Sequence, residues 1–217
     1  MKLFALMVLV SACAFSPNSA GVDAHDGHPD APQHPLDAPP HVTPPDAFVF
    51  QDAMTPPAFD PAMCPTGYTN NSVTASPNSR YRVITQPNAF SAQFAACKND
   101  HLGWTHLVVL DTTLEATQIH AVLNSNSYYV GAVQPANQAT PSTGWLQLTG
   151  ETVPTNLWQG SQPNDNGDSI ENNEQNVAAV DDATGLMNDV SGSFQYLGVC
   201  ECDGKPIVPA ALAALGS

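Results

Sequence analysis

Eleven prolines and seven aspartates fall between residues 14 and 61, with few large apolar side chains among them. A stretch of that kind buries too little to offset the entropy of ordering its backbone. It reads as an extended, partly polyproline-like stalk, so whatever folds must do so in residues 62–204, leaving 205–217 as a tail. Asp-Ala recurs at residues 23, 30, 37, 46 and 52, at intervals too irregular for a stacked repeat. His25, His28, His34 and His41 also lie in this run; nothing there fixes the geometry that a transition metal needs, and the solvated reading is preferred.

Ahead of the stalk, Met1-Lys2 is a minimal positive start, and Leu3 to Val10 is an apolar run too short to span a bilayer. Residues 1–13 therefore read as a signal peptide. Val10-Ser11-Ala12-Cys13 resembles a bacterial lipobox, which implies that Cys13 is acylated and becomes the mature N-terminus of a lipoprotein. Ala14 in second place, rather than Asp, implies an outer-membrane address. Ordinary cleavage after Ala14 is the alternative, and both readings place the remainder outside the cytoplasm, anchored to the membrane in the first case.

Lys and Arg total 5 against 20 Asp and Glu, for a net charge of -15. That balance argues against nucleic acid as a partner and favours a cation or a neutral ligand. Enzyme chemistry finds no support: there is no His-Glu-x-x-His helix, no Gly-x-Ser-x-Gly elbow and no phosphate loop. Asp181-Asp182 is a carboxylate pair of the kind used in glycoside hydrolysis, but without any further constellation around it. His101, His106 and His120 flank expected core elements, where a hydrogen-bonded structural histidine is the usual case.

Within the folding segment, Tyr81 to Ile84 alternates as a first strand. Phe90, Phe94 and Cys97 share one face of a short helix with Asn88 as its N-cap. Thr112 followed by Glu115 makes a capping box for a second helix, with Leu114, Ile119, Val122 and Leu123 as its buried stripe. Tyr128 to Val133 reads as a strand, and no further helix is expected before Cys200. Two early helices followed by strands and long loops give an α+β class. Without Cys13 the exported part holds four cysteines, an even number that suggests two disulfides. Cys200-x-Cys202 as a soft-metal site is disfavoured, having no His nearby.

The order of motifs across about 140 residues resembles the C-type lectin family: Cys64-Pro65 through Tyr68 at the opening, Cys97, Leu107 to Asp111 with Glu115, Tyr129-Val130-Gly131, Trp145-Leu146-Gln147, Trp158, Gln162-Pro163-Asn164, Glu174, Asn188-Asp189 and a closing Val199-Cys200-Glu201. The resemblance implies a C-type lectin-like fold of two helices, small antiparallel sheets and a long ligand-binding loop. It implies a Cys97–Cys200 bridge, with Cys64–Cys202 as the remaining pair. Under the chain-entropy model, closing a loop of about 100 residues contributes ~4.7 kcal/mol. The family's usual second bridge is missing, since Asn176 and Ser191 or Gly192 stand where its cysteines would be. Bound calcium or simple packing must then hold the long loop.

By the same resemblance, Gln162, Asn164, Glu174, Asn188 and Asp189 are the expected ligands of one Ca²⁺. Gln162, Asn164, Glu174 and Asn188 also face the sugar, Pro163 is the cis proline, and Trp158 packs in the core. The function so implied is a cell-surface, carbohydrate-binding module that takes a surface glycan through calcium. A calcium-independent module for protein binding or adhesion is the alternative. Gln-Pro-Asn departs from the family's Glu-Pro-Asn and Gln-Pro-Asp by lacking a carboxylate on either side of the proline. The sugar preference is then unreadable, and the expected affinity falls toward about 10⁻⁴ to 10⁻³ M unless Asp165, Asp168 or Glu171 contributes. Gln134 stands where an auxiliary calcium site would need an Asp.

Overall fold

The computed structural model describes residues 58–167 and 171–216. The signal peptide, Cys13, the stalk up to residue 57 and Asp168 lie outside these residues. All of the described residues belong to one compact unit, Met54–Ser217. Its first elements are a 3₁₀ turn, Pro61–Met63, and a strand, β1 (Arg80–Asn88). Next come helix α1 (Phe90–Lys98), β2 (Thr105–Leu107), helix α2 (Thr113–Val122), β3 (Tyr128–Val133) and β4 (Leu146–Gln147). After a second 3₁₀ turn, Thr155–Leu157, come β5 (Val177–Val180), β6 (Met187–Val190), β7 (Tyr196–Cys202) and helix α3 (Pro209–Gly216). Two helices precede most of the strands, an α+β arrangement.

The sheet runs β1-β7-β3-β5-β6, with β2 also on β7 and β4 on β3. Only β3 and β7 pair in parallel; β1 and β2 both meet β7 antiparallel, Tyr81 and His106 each facing Glu201. All six residues of β3 are buried, because both of its faces are covered. On one face Tyr128, Val130 and Ala132 pack with Ala116 and Ile119 of α2. On the other, Tyr129 and Val133 pack with Phe90 and Cys97 of α1 and Ala211 of α3. Alternation along the strand thus feeds two cores. Gly131 lies between them at a close approach of main chains: its N–H donates to the Val108 carbonyl at 2.7 Å, and a Cβ there would lie 2.6 Å from the Leu107 carbonyl oxygen.

Two disulfides join this frame, Cys97–Cys200 and Cys64–Cys202. An aromatic ladder crosses it: Phe94 stacks on Phe90, Phe90 meets Tyr129 edge-on at 5.2 Å, Tyr129 meets Tyr196, and Tyr196 meets Phe194.

Several details differ from the sequence-based expectation. Residue 89, not Asn88, is the N-cap of α1, and it caps with no side chain; Asn88 instead accepts the Ala89 N–H. In α2 the Thr112 hydroxyl accepts the Glu115 N–H, one half of the expected capping box, while the Glu115 side chain reaches back to the Asp111 N–H and not to that of Thr112. Leu114, however, is 56% exposed, and Glu115 takes the buried position. The Glu115 carboxylate accepts from the Asp111 N–H, the Tyr81 hydroxyl and the Ser76 hydroxyl, so three donors counter its desolvation in part, and burial still leaves the carboxyl raised. Residues 205–217 are more than a tail: α3 inserts Ala211 into the core, and the Val208 N–H donates to the Leu148 carbonyl at 2.9 Å.

Candidate functional site

The loop from Trp158 to Asn176 is arranged around β6. The Gln159 N–H donates to the Met187 carbonyl, and the Gln162–Pro163 peptide is cis. Immediately after this turn, the Asp189 carboxylate accepts the N–H groups of Asn164, at 2.9 Å, and Asp165, at 2.6 Å, through one oxygen. Asp165 accepts the Asn172 N–H at 2.6 Å, drawing the far side of the loop back. Asp165, Asn166 and Asn173 take positive φ, a conformation that Asn and Asp adopt more readily than other non-glycine residues.

Five side-chain oxygens of this region are buried with no hydrogen-bond partner: Gln162 Oε1, Asp165 Oδ1, Glu171 Oε2, Asn176 Oδ1 and Asp189 Oδ1. Every one is an acceptor. Asp165 and Asp189 are each 1% exposed, and burial, with the Asp165 charge adding to it, pushes the Asp189 carboxyl above its ordinary range. A buried carboxylate oxygen with no facing donor is costly in itself, while amide and carboxylate oxygens are what a hard cation takes. The donor set therefore fits Ca²⁺ chemically.

The five residues expected as ligands do not line a single concavity. Gln162 lines a cleft of about 260 Å³ with Pro163, Trp145 and Trp158; the two indoles meet edge-on at 4.8 Å. Trp158 is partly buried against the core. The Asn164 side chain accepts the Gly167 N–H, while its main chain rests on Asp189. Glu174 is exposed and lines a different concavity with Asn166, Gln175, Ser191 and Phe194. Asn188 lines a recess with Ser127, Asp181 and Tyr196, as expected for a residue adjacent to Asp189 on a strand, where neighbours point to opposite faces. Asp165 and Glu171, which the sequence offered only as auxiliaries, contribute buried orphan oxygens, as does Asn176. The signal for Asp165 was its place two residues after Pro163; an Asn-Asp-Asn-Gly run otherwise reads as a plain turn. Gln134 donates its amide to the carbonyls of Thr140, Pro141 and Thr143 and so anchors a loop.

Among the described residues, the group of three His, Asp or Glu side chains close enough to share a metal is elsewhere: His106, Glu201 and Asp203, with ligand atoms within 4.8 Å of one another. Its hydrogen bonds account for it as an internal network. His106 joins the Leu107 carbonyl at 2.8 Å and Asp203 at 3.1 Å, and Glu201 accepts the Val109 N–H. Burial pushes the Glu201 carboxyl up despite the opposing His106 charge. Burial pulls His106 down, yet the hydrogen bond to Asp203 and the two carboxylate charges outweigh it and raise it. His101 stacks on Trp104. His120 departs from the expected structural role in one respect, since its Nε2 is buried without a partner.

No protein-family model matches the chain, and no curated protein matches it. Solved structures do. The C-type lectin CEL-I from Cucumaria echinata aligns at 19% identity with a TM-score of 0.50, covering 64% of this chain and 96% of that one. The EPNH mutant of CEL-I aligns at 18% and 0.52 over the same shares. Human lithostathine aligns at 17% and 0.50, covering 70% of this chain and 98% of its own. With its helix pair, its β7-centred sheet and its long loop closed onto β6, the described part of the chain is a domain of C-type lectin-like fold.

Proposed function

We propose that this chain is an exported, non-enzymatic lectin-like module that binds carbohydrate through a calcium-dependent long loop and is held at a bacterial outer membrane or cell surface by acylation of Cys13. The observation that carries the calcium reading is the set of buried, unpartnered oxygens on Gln162, Asp165, Glu171, Asn176 and Asp189. These residues would hold the ion, with Asn164, Glu174 and Asn188 of the family pattern as the remaining candidates. Calcium held there would supply Lewis-acidic attraction for the hydroxyl oxygens of a sugar. The chain's own contribution is to place donors and acceptors around that position, and Asp189 does so by fixing the Asn164 and Asp165 main chain. The net charge of -15 favours a neutral glycan over an anionic one. The likeness to a C-type lectin supports the reading through its fold.

Calorimetric titration of calcium into the full chain tests it, alongside Asp165→Asn and a Glu174→Ala, Asn188→Ala double variant. One-site binding lost in Asp165→Asn supports the assignment, and the double variant decides whether Glu174 and Asn188 join the site. The division of Glu174, Gln162 and Asn188 among three concavities favours the second reading, a calcium-independent module for protein binding or adhesion. Absence of heat and of any thermal shift up to several millimolar, beyond weak extracellular sites, would select it.

A further inference from the structure

Phe194 is the one aromatic among the exposed large apolar side chains of the described residues, at 47% exposure. Its backbone is fixed from three sides. Its N–H closes a turn onto the Ser191 carbonyl at 3.2 Å, and the Phe90 N–H donates to the Gly192 carbonyl at 2.9 Å. The Tyr129 hydroxyl bonds to the Ser191 and Phe194 carbonyls, at 3.2 and 2.9 Å. The ring itself rests edge-on against Tyr196 at 5.9 Å. Such bracing gives Phe194 little entropy to lose on contact, which is what preorganisation means for a binding surface.

The ring lines a concavity of about 360 Å³ with Asn166, Glu174, Gln175 and Ser191, at the lower end of ligand-pocket sizes. Gln175 Oε1 already accepts the Asn166 N–H, so its NH₂ remains to donate. A rigid aromatic face beside an amide donor suits a pyranose ring, with C–H groups on one face and hydroxyls at its edge. Asn166 follows directly after Asp165, one of the residues with a buried unpartnered oxygen, so this concavity adjoins that part of the proposed calcium loop along the chain.

We propose that Phe194, with Gln175 beside it, forms a stacking subsite for a second sugar ring, so that the module takes an oligosaccharide in preference to a single sugar. This rests on the carbohydrate reading of the calcium loop. The subsite is expected to make a disaccharide bind more tightly than the methyl glycoside of its first ring.

The test compares methyl α-mannoside with α-mannobiose, methyl α-glucoside with maltose, and methyl β-galactoside with lactose. Each is titrated in calcium against the full chain and against Phe194→Ala and Phe194→Trp, with saturation-transfer NMR locating the contacted ring. In at least one pair, Phe194→Ala is expected to lose about 2- to 10-fold in disaccharide affinity, the worth of one aromatic contact. Monosaccharide affinity and calcium titration should stay unchanged, and Phe194→Trp should keep the disaccharide preference. Equal disaccharide binding by the original chain and Phe194→Ala overturns the subsite while leaving the carbohydrate reading intact. If no sugar binds in any form, the carbohydrate reading fails and the subsite with it. Binding of N-acetyl-lysine methylamide that is lost in Phe194→Ala and in high salt, with no disaccharide effect, overturns the proposal by giving the ring to a cation.

Discussion

Replacing Asp189 by Asn separates a loop built for a cation from a loop that closes by itself. Asp189 is 1% exposed, and its carboxyl is raised by burial first and by Asp165 second, against the two N–H bonds that favour the charge. The net sign is therefore unfavourable to the carboxylate in the ion-free fold. Asn keeps an acceptor for the Asn164 and Asp165 N–H groups and turns an orphan acceptor into a donor facing an acceptor-rich region. Weakened bonds to a neutral oxygen cost about 1 kcal/mol, and satisfying an orphan acceptor returns about 1–3 kcal/mol. In chelator, Asp189→Asn should thus melt above the original chain by about 3–5 °C, the equivalent of a net ~1 kcal/mol in a domain of this size. In calcium the order should invert. At a hundred times the dissociation constant the original chain gains ~2.7 kcal/mol, and the variant gains little or nothing.

The pH response carries the same logic. A carboxyl with a raised folded pKa makes the ion-free fold more stable as pH falls toward its unfolded value, whereas the calcium-loaded fold should lose stability as acid displaces the ion. Differential scanning calorimetry at pH 5 and 7.5, with calcium and with chelator, reads all of these. A variant that melts below the original chain in chelator would refute the reasoning, because Asp189 would then be a satisfied carboxylate.

Other perturbations follow from the frame. Glu201 is raised by burial, so the folded chain binds that proton more tightly than the unfolded one, and the carboxyl's contribution to stability declines as pH rises through the neutral range. Glu201→Gln should flatten that decline and melt higher at pH 8.5, as measured by thermal unfolding across pH. Gly131→Ala drives a Cβ to 2.6 Å from the Leu107 carbonyl oxygen and 3.0 Å from Leu148, and should destabilise by ~1–3 kcal/mol in denaturant titration. Ile119→Ala should cost ~2–5 kcal/mol, whereas Leu114→Ser on the same helix should change stability by less than about 0.5 kcal/mol.

The elements that were legible in the sequence carry their own local signals. Thr112 and Glu115 mark a helix start because the cap is a short-range hydrogen bond, and Tyr128 to Val133 reads as a strand from its run of buried-type residues. Leu114 and Glu115 were exchanged in the expected stripe because composition favours burying Leu. The donors that make Glu115 the buried one, Tyr81 and Ser76, lie more than thirty residues away. The helix after Lys205 was missed because its short run of Ala and Leu carries no cap. In the loop, the resemblance named Glu174 and Asn188, but pattern alone cannot say which face of a strand or which side of a turn a residue presents. Asp165 and Asn176 declare themselves only when the fold leaves their oxygens buried without donors.

Both disulfides end on β7, at Cys200 and Cys202, the strand that also pairs with β1, β2 and β3. Tension arriving from residues ahead of Cys64 therefore passes through a covalent bond to the middle of the sheet, bypassing the segment from Pro65 to Asn88. A load applied at the long loop leaves it through β6, β5 and β3 and reaches β7 across ladders in series. The β1–β7 ladder, whose Arg80 end faces Cys202 and would otherwise open first under a pull from the N-terminal side, carries none of that load while the Cys64–Cys202 bridge is intact. Under reducing conditions the same pull would peel β1 away one residue pair at a time.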